Sequence, residues 1–198
     1  LIFLIDNENF TVNVLHFIML LSKYQENWDI LRSSIPRIVP FLTNAYAEEK
    51  VIAILDNLSK DLSNSKLIFS HRVVPIILKL LSEDTSGSEK TTMLTRILAN
   101  LATDNKRMKL SINEIQILLN ILDEDGMAAD QVVRAFAFMI SNLHLRDVDQ
   151  YIKAGIIPRI IKFMHNSMRN FDNPMRNFLP FFNIIYTSNC SHIVGSIS

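Results

Sequence analysis

The chain has 198 residues, of which 48% are hydrophobic, with only 4 Gly and 6 Pro. This composition supports a sizeable core and argues against both an intrinsically disordered chain and a Gly-rich phosphate-binding loop. The 20 basic residues balance the 20 acidic ones, so total charge gives no reason to expect binding to nucleic acid or to an anionic membrane.

Apolar residues recur along the chain at the spacing of a helix, whereas the alternation typical of strands never lasts beyond a few residues. We therefore predict an all-α protein. The predicted helices are of two kinds, one that ends in Asn-Leu or an equivalent pair and one that begins beside a proline. In chain order they cover Val14–Ser22, Ser34–Leu42, Val51–Ser59, Val73–Leu81, Thr95–Ala102, Asn113–Leu122, Ala137–His144, Ala154–Met164 and Leu179–Thr187.

The helices of the first kind repeat at a nearly fixed distance. An Asn-Leu pair closes VIAILDNLS, TRILANLA and AFMISNLH, and the residues concerned are Asn57, Asn100 and Asn142, which stand 43 and 42 residues apart. Leu20 takes this position 37 residues upstream, and Ile184, or Asn183 if the register shifts by one, takes it downstream. A constant period of this length indicates a repeat protein.

The helices of the second kind recur with the same period. SIPRIVPFL, VVPIILKLL and AGIIPRIIKFM carry Pro36, Pro75 and Pro158 where a helix begins and does not need the missing N–H. In the remaining unit the predicted N-cap is Asn113. Short first helices are predicted in DNKRMKLS (104–111) and RDVDQYIKAG (146–155), and polar loops at 82–89, 123–130 and 166–174.

The segments AGIIPRIIKFM, RVVPIILKLL and RILANLATDN resemble the armadillo repeat, a three-helix unit of about 42 residues with EAGGIPxLVxLL-like and ALxNLA-like segments. HEAT repeats share the period but have two helices and lack the Asn-Leu ending. The resemblance covers nearly the whole chain and implies a right-handed α-solenoid of about four to five armadillo-type three-helix repeats in a single domain, 1–198. The approximate units are 1–24 (partial), 25–65, 66–107, 108–149 and 150–198 (partial or degenerate at the end).

In such a solenoid the third helices line a concave groove, so the resemblance implies a non-catalytic scaffold or adaptor that binds an extended segment of a partner protein. In armadillo proteins that bind peptides, the third-helix Asn hydrogen-bonds the peptide main chain, a role that falls here to Asn57, Asn100 and Asn142. Residues four positions before or after each Asn share its helix face. The candidate side-chain contacts are Arg96, Phe138, Arg146, Asp104 and Asp61.

Other interpretations of these residues stay open. An Asn at this position can instead cap or bridge neighbouring helices, and an aromatic such as Phe138 on an apolar helix is often part of the core. Arg96 favours an acidic or phosphorylated segment, although Asp61 and Asp104 dilute the positive field. A second hypothesis is a regulatory or structural solenoid domain that docks through its convex face or helix ends, against another part of its own chain or a small GTPase.

The sequence shows no constellation for catalysis, a cofactor or a metal. Its five histidines are scattered, and Asp123–Asp125 lacks the ligand spacing of a calcium loop. Cys190, Ser191 and His192 are adjacent in sequence, which does not orient them toward one another. The basic residues of the last third form no base-reading pattern, so we expect no nucleic-acid binding.

Compartment and context are predicted from three further features. The single cysteine, Cys190, is typical of a reducing compartment, and we expect a cytoplasmic or nuclear protein. The apolar runs Val14–Leu21 and Ile156–Met164 are shorter than the roughly 20 residues of a membrane span, so none is predicted. Both chain ends stop inside repeats, and the apolar segments Leu1–Ile5 and Ile184–Ile185 predict flanking repeats or domains of the same chain.

Overall fold

The structure is a computed structural model that describes residues 11–84, 88–123, 126–142 and 145–167. These residues form helices, turns and short connections without a strand, which confirms the prediction of an all-α protein. The chain divides into two compact units, 1–105 and 106–198. The predicted helix Leu179–Thr187, together with Ile184, Cys190, Ser191, His192 and Leu1–Ile5, lies outside the described residues.

The first unit contains seven α-helices among its described residues. They are α1 (Thr11–Ser22), α2 (Trp28–Leu31), α3 (Ile35–Ile38), α4 (Glu48–Leu58), α5 (Leu62–Ser70), α6 (Val73–Glu83) and α7 (Glu89–Asp104). Short 3₁₀ turns cover Gln25–Asn27, Arg32–Ser34 and Val39–Thr43. The long helices α1, α4 and α7 contain the predicted Asn-Leu type segments, and each of α4 and α7 begins several residues earlier than the repeated pattern itself.

Prolines and caps explain where several of these helices begin and end. Pro36 stands in the first turn of α3, as predicted, but Pro40 follows four residues later and removes the N–H that would bond to the Pro36 carbonyl. The predicted helix over 34–42 is therefore a four-residue α-helix followed by a 3₁₀ turn. Asp61 caps α5 by accepting hydrogen bonds from the main-chain N–H groups of Ser63 and Asn64.

The core of the first unit is built around α4. Val51, Leu55 and Leu58 recur at helical spacing, and all three are fully buried. One face of α4 packs on α1 and another on α7, and α4 also contacts α5. Burial of an aliphatic side chain contributes about 1.5 to 3 kcal/mol, so the buried face of α4 stabilises the unit substantially.

The second unit contains four described helices. They are α8 (Ile112–Leu122), α9 (Met127–Ser141), α10 (Leu145–Lys153) and α11 (Ile156–Ser167). Helix α8 packs on α9, α10 and α11, and the rings of Phe136 and Tyr151 meet edge to face at 6.3 Å and 86°. Helix α10 confirms the short helix predicted in 146–155. Met127 opens α9 inside the predicted loop 123–130, and Ser167 extends α11 into the predicted loop 166–174.

The prediction of a helix over 104–111 is wrong. Beyond Asp104, which ends α7, this stretch is a turn followed by a non-helical segment in which Met108 and Leu110 are buried and Lys109 is exposed. This alternation suits an extended chain. The main-chain N–H of Leu110 donates to the Tyr151 hydroxyl at 3.2 Å, and its carbonyl accepts from the Gln150 amide at 3.2 Å. Side chains of α10 thus satisfy the main-chain groups of Leu110 that a helix would pair internally.

Asn113 is not the N-cap of α8. Ser111 takes that position and accepts a hydrogen bond from the main-chain N–H of Glu114, while the Glu114 carboxylate accepts one from the main-chain N–H of Ser111. This reciprocal capping box satisfies two N–H groups that the first turn leaves without helix partners. Asn113 is an exposed residue of the first turn.

Candidate binding groove

The helices α4 and α7 run side by side in the same direction, and α1 also packs against α4. Three polar contacts join α4, or the residue that follows it, to α7: Glu48 to Lys90, Asp56 to Arg96 and Ser59 to Asn100. The residue numbers rise together on both helices, which is the pattern of a parallel pair. The last two contacts span 40 and 41 residues, close to the period of the Asn-Leu segments.

An open groove of about 490 Å³ lies across these three helices. Its walls combine apolar side chains with charged side chains of both signs. The α1–α4–α7 groove is lined by His16, Met19, Lys23, Glu49, Lys50, Ala53, Asp56, Asn57, Glu89, Met93 and Arg96. Two of the predicted site residues, Asn57 and Arg96, are thus brought together in one groove of the first unit.

Asn57 and Asn100 each connect one helix to the next. The Asn57 amide nitrogen donates to the Ser22 hydroxyl at 3.1 Å, and the Asn100 amide nitrogen donates to the Ser59 hydroxyl at 2.9 Å. Both serines are fully buried. Ser59 stands two residues after Asn57, and Ser22 stands two residues after Leu20, which takes the position of the repeated Asn on α1. Each serine donates in turn to the carbonyl three residues earlier. These Asn–Ser bridges match the alternative in which the repeated Asn joins neighbouring helices.

Asn142 makes a different contact in the second unit. Its amide nitrogen donates to the Phe138 carbonyl at 2.8 Å, so the side chain folds back on the end of its own helix α9. Phe138 is half-buried. Arg146 belongs to α10, and its side chain lies outside the described residues.

The two predicted acidic contacts lie at helix ends. Asp61 caps α5 and also accepts from Arg32 at 3.3 Å, so its carboxylate takes part in holding α2 near α5. Asp104 is the last residue of α7 and is half-buried. Neither residue lines the α1–α4–α7 groove.

Arg96 is held by a carboxylate of the neighbouring helix. Its Nε lies 2.7 Å from Oδ1 of Asp56 and its Nη2 lies 2.6 Å from Oδ2, which is a two-point ion pair. The Asp56 side chain is 6% exposed and that of Arg96 is 30% exposed. The hydrogen bonds that the Arg96 guanidinium donates to the Asp56 carboxylate raise the pKa of Arg96, so the guanidinium stays charged beside its counter-charge.

Asp56 is one of the groove residues that the sequence prediction missed. It stands one position before Asn57, where the helix-face argument did not look. The repeat period contains the signal, because Arg96 precedes Asn100 by four and Asp56 precedes Asn57 by one. The residue four positions before the repeated Asn of one helix therefore meets the residue one position before the repeated Asn of the preceding helix. At the α1–α4 junction the same two positions hold Met19 and Ala53.

The lining of the groove combines apolar side chains with balanced charges. Met19, Ala53 and Met93 provide one half-buried apolar side chain from each of the three helices. Three basic side chains are balanced by three acidic ones, and these are Lys23, Lys50 and Arg96 against Glu49, Asp56 and Glu89. The structure contains no group of three or more His, Cys, Asp or Glu side chains suited to a metal within 11–84, 88–123, 126–142 and 145–167.

Among the described helices, none has both the length and the apolar character needed to cross a membrane. Comparison with protein-family models, with curated proteins and with solved structures found no match to this chain. Its function is therefore inferred from its own residues and contacts.

Proposed function

We propose that the protein is a non-catalytic protein-interaction module, an armadillo-type α-solenoid that holds an extended segment of a partner protein in the α1–α4–α7 groove. The observation that carries this proposal is the groove itself, which is lined by α1, α4 and α7 at the positions where the repeated pattern recurs. An extended segment suits an elongated site lined by successive helices, because each helix meets a different stretch of it.

Contacts at the repeat distance support the solenoid within each unit. In the first unit they join Asp56 to Arg96 and Ser59 to Asn100. In the second unit the Gln150 amide donates to the Leu110 carbonyl and Arg159 donates to the Leu119 carbonyl, and both contacts span 40 residues. Polar bridges at one constant separation are typical of stacked repeats, in which each unit contacts the next at equivalent positions.

The contacts revise the proposed roles of the site residues. We assign Asn57 and Asn100 to the framework of the groove, since their amide nitrogens bridge to Ser22 and Ser59. Ala53 becomes the central binding position, because a small side chain there keeps the groove open between Met19 and Arg96. Asn142, Phe138 and Arg146 stay candidates for a groove in the second unit.

Docking through a surface other than the groove is the second candidate function. Helix α1 exposes Phe17 and Leu20, whose three-residue spacing places them on one face, and Tyr24 in the turn after the helix is exposed as well. An exposed apolar face of this kind favours a neighbouring repeat or another domain. This candidate and the groove differ in which residues a partner covers.

Selection from a random peptide display library against the full chain tests the groove. We expect selected peptides to lose at least about tenfold in affinity for Ala53→Trp, because the indole fills the space over α4. Lys66→Trp, on an exposed position of α5, is the matched control and keeps full affinity. Circular dichroism verifies that both variants fold. Equal binding to folded wild type and Ala53→Trp would overturn the proposal, and loss of binding in Phe17→Ser would favour the α1 face.

A further inference from the structure

We propose that the α1–α4–α7 groove selects an uncharged, unphosphorylated segment that places one apolar side chain over Met19, Ala53 and Met93, and that Arg96 donates to a main-chain carbonyl of that segment. This inference rests on the proposed function and specifies the chemistry of its partner. It differs from the expectation of an acidic or phosphorylated segment, which considered Arg96 without its counter-charge.

The apolar anchor follows from the three side chains at the centre of the groove. Met19 on α1, Ala53 on α4 and Met93 on α7 are all half-buried, so each is accessible from the open side. Methionine side chains are flexible and polarisable and adapt to apolar groups of different shape. Ala53 leaves space between them, and an unbranched or γ-branched aliphatic side chain is the chemistry that this space accepts.

The charge of the groove argues against an anionic partner. Its six ionised lining side chains cancel, and the most basic of them is paired through both carboxylate oxygens of Asp56. A phosphorylated residue would introduce about two negative charges and compete with Asp56 for the same guanidinium. A neutral segment meets no such competition, and its charge matches the zero sum of the lining.

Arg96 keeps the means to bind a main chain. A guanidinium carries five N–H donors in a rigid plane, and the two bonds to Asp56 use two of them. The side chain is 30% exposed, and the ion pair fixes its position before a partner arrives. A carbonyl oxygen is a neutral acceptor that every residue of an extended segment presents, so these donors favour backbone recognition.

The amide of Asn57 is engaged at both ends. Its nitrogen donates to Ser22, and its oxygen accepts from the Lys60 ammonium at 3.2 Å. A partner that used this amide would have to replace a bridge to a buried hydroxyl or an ion-dipole contact. The remaining donors of Arg96 require no such replacement.

The test uses the full chain and peptides selected from the random display library. We expect aligned binders to share an aliphatic or Met position without enrichment of Asp or Glu. Fluorescence anisotropy then compares a synthetic parent peptide with variants that carry Glu or phosphoserine at the shared position, and we expect each to bind at least about tenfold more weakly. The dissociation constant of the parent should change less than about threefold between roughly 50 and 300 mM salt.

Asp56→Asn tests the role of the counter-charge directly. We expect this variant to gain at least about fivefold in affinity for the Glu peptide, because Arg96 then meets an anion without competition. Glu83→Gln, on an exposed position of α6, is the matched control and should leave every affinity unchanged. Circular dichroism verifies that Asp56→Asn folds, and the ratio of the Glu-peptide affinity to the parent-peptide affinity separates the effect of charge from any general loss of binding.

Two results would overturn the inference, and they differ from failure of the proposed function. Tighter binding of the Glu or phosphoserine peptide than of the parent to the wild type would identify an anion-selecting groove. A tenfold loss of parent affinity with added salt would lead to the same conclusion. If Ala53→Trp weakens the binding of none of the selected peptides, the groove does not bind the segment, and both the proposed function and the inference are wrong.

Discussion

The Arg96 guanidinium and the Asp56 carboxylate form a two-point ion pair between α7 and α4, with Nε 2.7 Å from Oδ1 and Nη2 2.6 Å from Oδ2. The two partners differ in access to water, since the Asp56 side chain is 6% exposed and the Arg96 side chain is 30% exposed. This asymmetry means that losing one partner is not equivalent to losing the other.

Arg96→Met should destabilise the protein more than Asp56→Asn. Without Arg96 a buried carboxylate has lost its counter-charge, at a cost of about 3 kcal/mol. Without the Asp56 charge the guanidinium can still reach water, and Asn keeps one acceptor oxygen, so we expect about 1 kcal/mol. Urea titration followed by circular dichroism measures both values. The double variant Asp56→Leu/Arg96→Met should recover most of the loss, and equal losses in the two single variants would contradict the argument.

The bridge between Ser59 and Asn100 should appear as an energetic coupling. We expect Ser59→Ala and Asn100→Ala each to lower the free energy of unfolding, and the double variant to lose about 1 kcal/mol less than their sum. The reason is that one hydrogen bond at 2.9 Å is removed by either change. Asn13→Ala, on an exposed position of α1, is the control and should add independently to Ser59→Ala. A coupling near zero between Ser59 and Asn100 would show that the bridge contributes nothing.

Ser111→Ala should destabilise the second unit by about 1 kcal/mol, because it removes the side-chain half of the capping box of α8. Asn113→Ala provides a closely matched control two residues later. Asn113 is exposed in the first turn, and we expect its replacement to change stability by less than about 0.5 kcal/mol. Thermal unfolding of the two variants distinguishes them, and the opposite order would restore Asn113 as the cap.

Arg72→Gly should stabilise the first unit. Arg72 precedes α6 with φ 55° and ψ 38°, a left-handed conformation that costs a residue with a Cβ about 1 to 2 kcal/mol. Glycine removes this strain but loses about 0.5 to 1 kcal/mol of conformational entropy, so the expected net gain is about 0.5 kcal/mol. Arg72→Ala keeps the strain and should show no gain. A lower melting temperature for the glycine variant than for the alanine variant would refute the prediction.

Asp130→Asn should stabilise the protein at neutral pH and lose that advantage in acid. Burial raises the pKa of Asp130, so the folded state takes up a proton more readily than the unfolded state, and the cost of the carboxylate disappears as pH falls through the folded pKa. Because the side chain is only half-buried, the gain at neutral pH should stay below about 1 kcal/mol. Urea titrations at neutral and acidic pH measure the difference in the free energy of unfolding between the variant and the wild type. A difference that grows toward acid would contradict the prediction.

Periodicity predicted the positions of the main helices because apolar side chains recur where a helix faces the core. The segment Val51–Ser59 lies almost wholly within α4, whose buried residues Val51, Leu55 and Leu58 form that face. The first turn of α4 escaped prediction because Glu48 and Glu49 are not part of the repeated pattern. They suit a helix start for another reason, which is the positive end of the helix dipole.

The segment after α7 shows where a repeat pattern misleads. A short first helix is expected over 104–111 from the position of this stretch in the unit, but Met108 and Leu110 are buried in alternation and the Leu110 main chain bonds to α10. Tertiary contacts from Gln150 and Tyr151 thus override the expectation. The capping box was readable, since Ser111 and Glu114 have the spacing of that motif, yet Asn113 stood closer to the apolar run.

The candidate site was only partly accessible from sequence. The armadillo resemblance assigned Asn57 to a groove and a helix-face argument assigned Arg96 to it, and both line it. Their hydrogen-bond partners lie 35 and 40 residues away, and no local pattern indicates which side chain of the neighbouring helix will meet them. The partner of Arg96 decides the charge of the groove, so the predicted preference for an anion depended on the part of the site that the sequence did not show.

Met19 with Ala53, and Asp56 with Arg96, occupy the same pair of positions at two successive helix junctions. One junction is apolar and the other is ionic, although the Asn–Ser bridge beside each is the same. The residues that join the helices therefore differ from the residues that set the chemistry of each junction. Under the proposed function, two substitutions at a single junction would change which side chain is accepted there and leave the neighbouring junction as it was, so specificity could diverge one junction at a time.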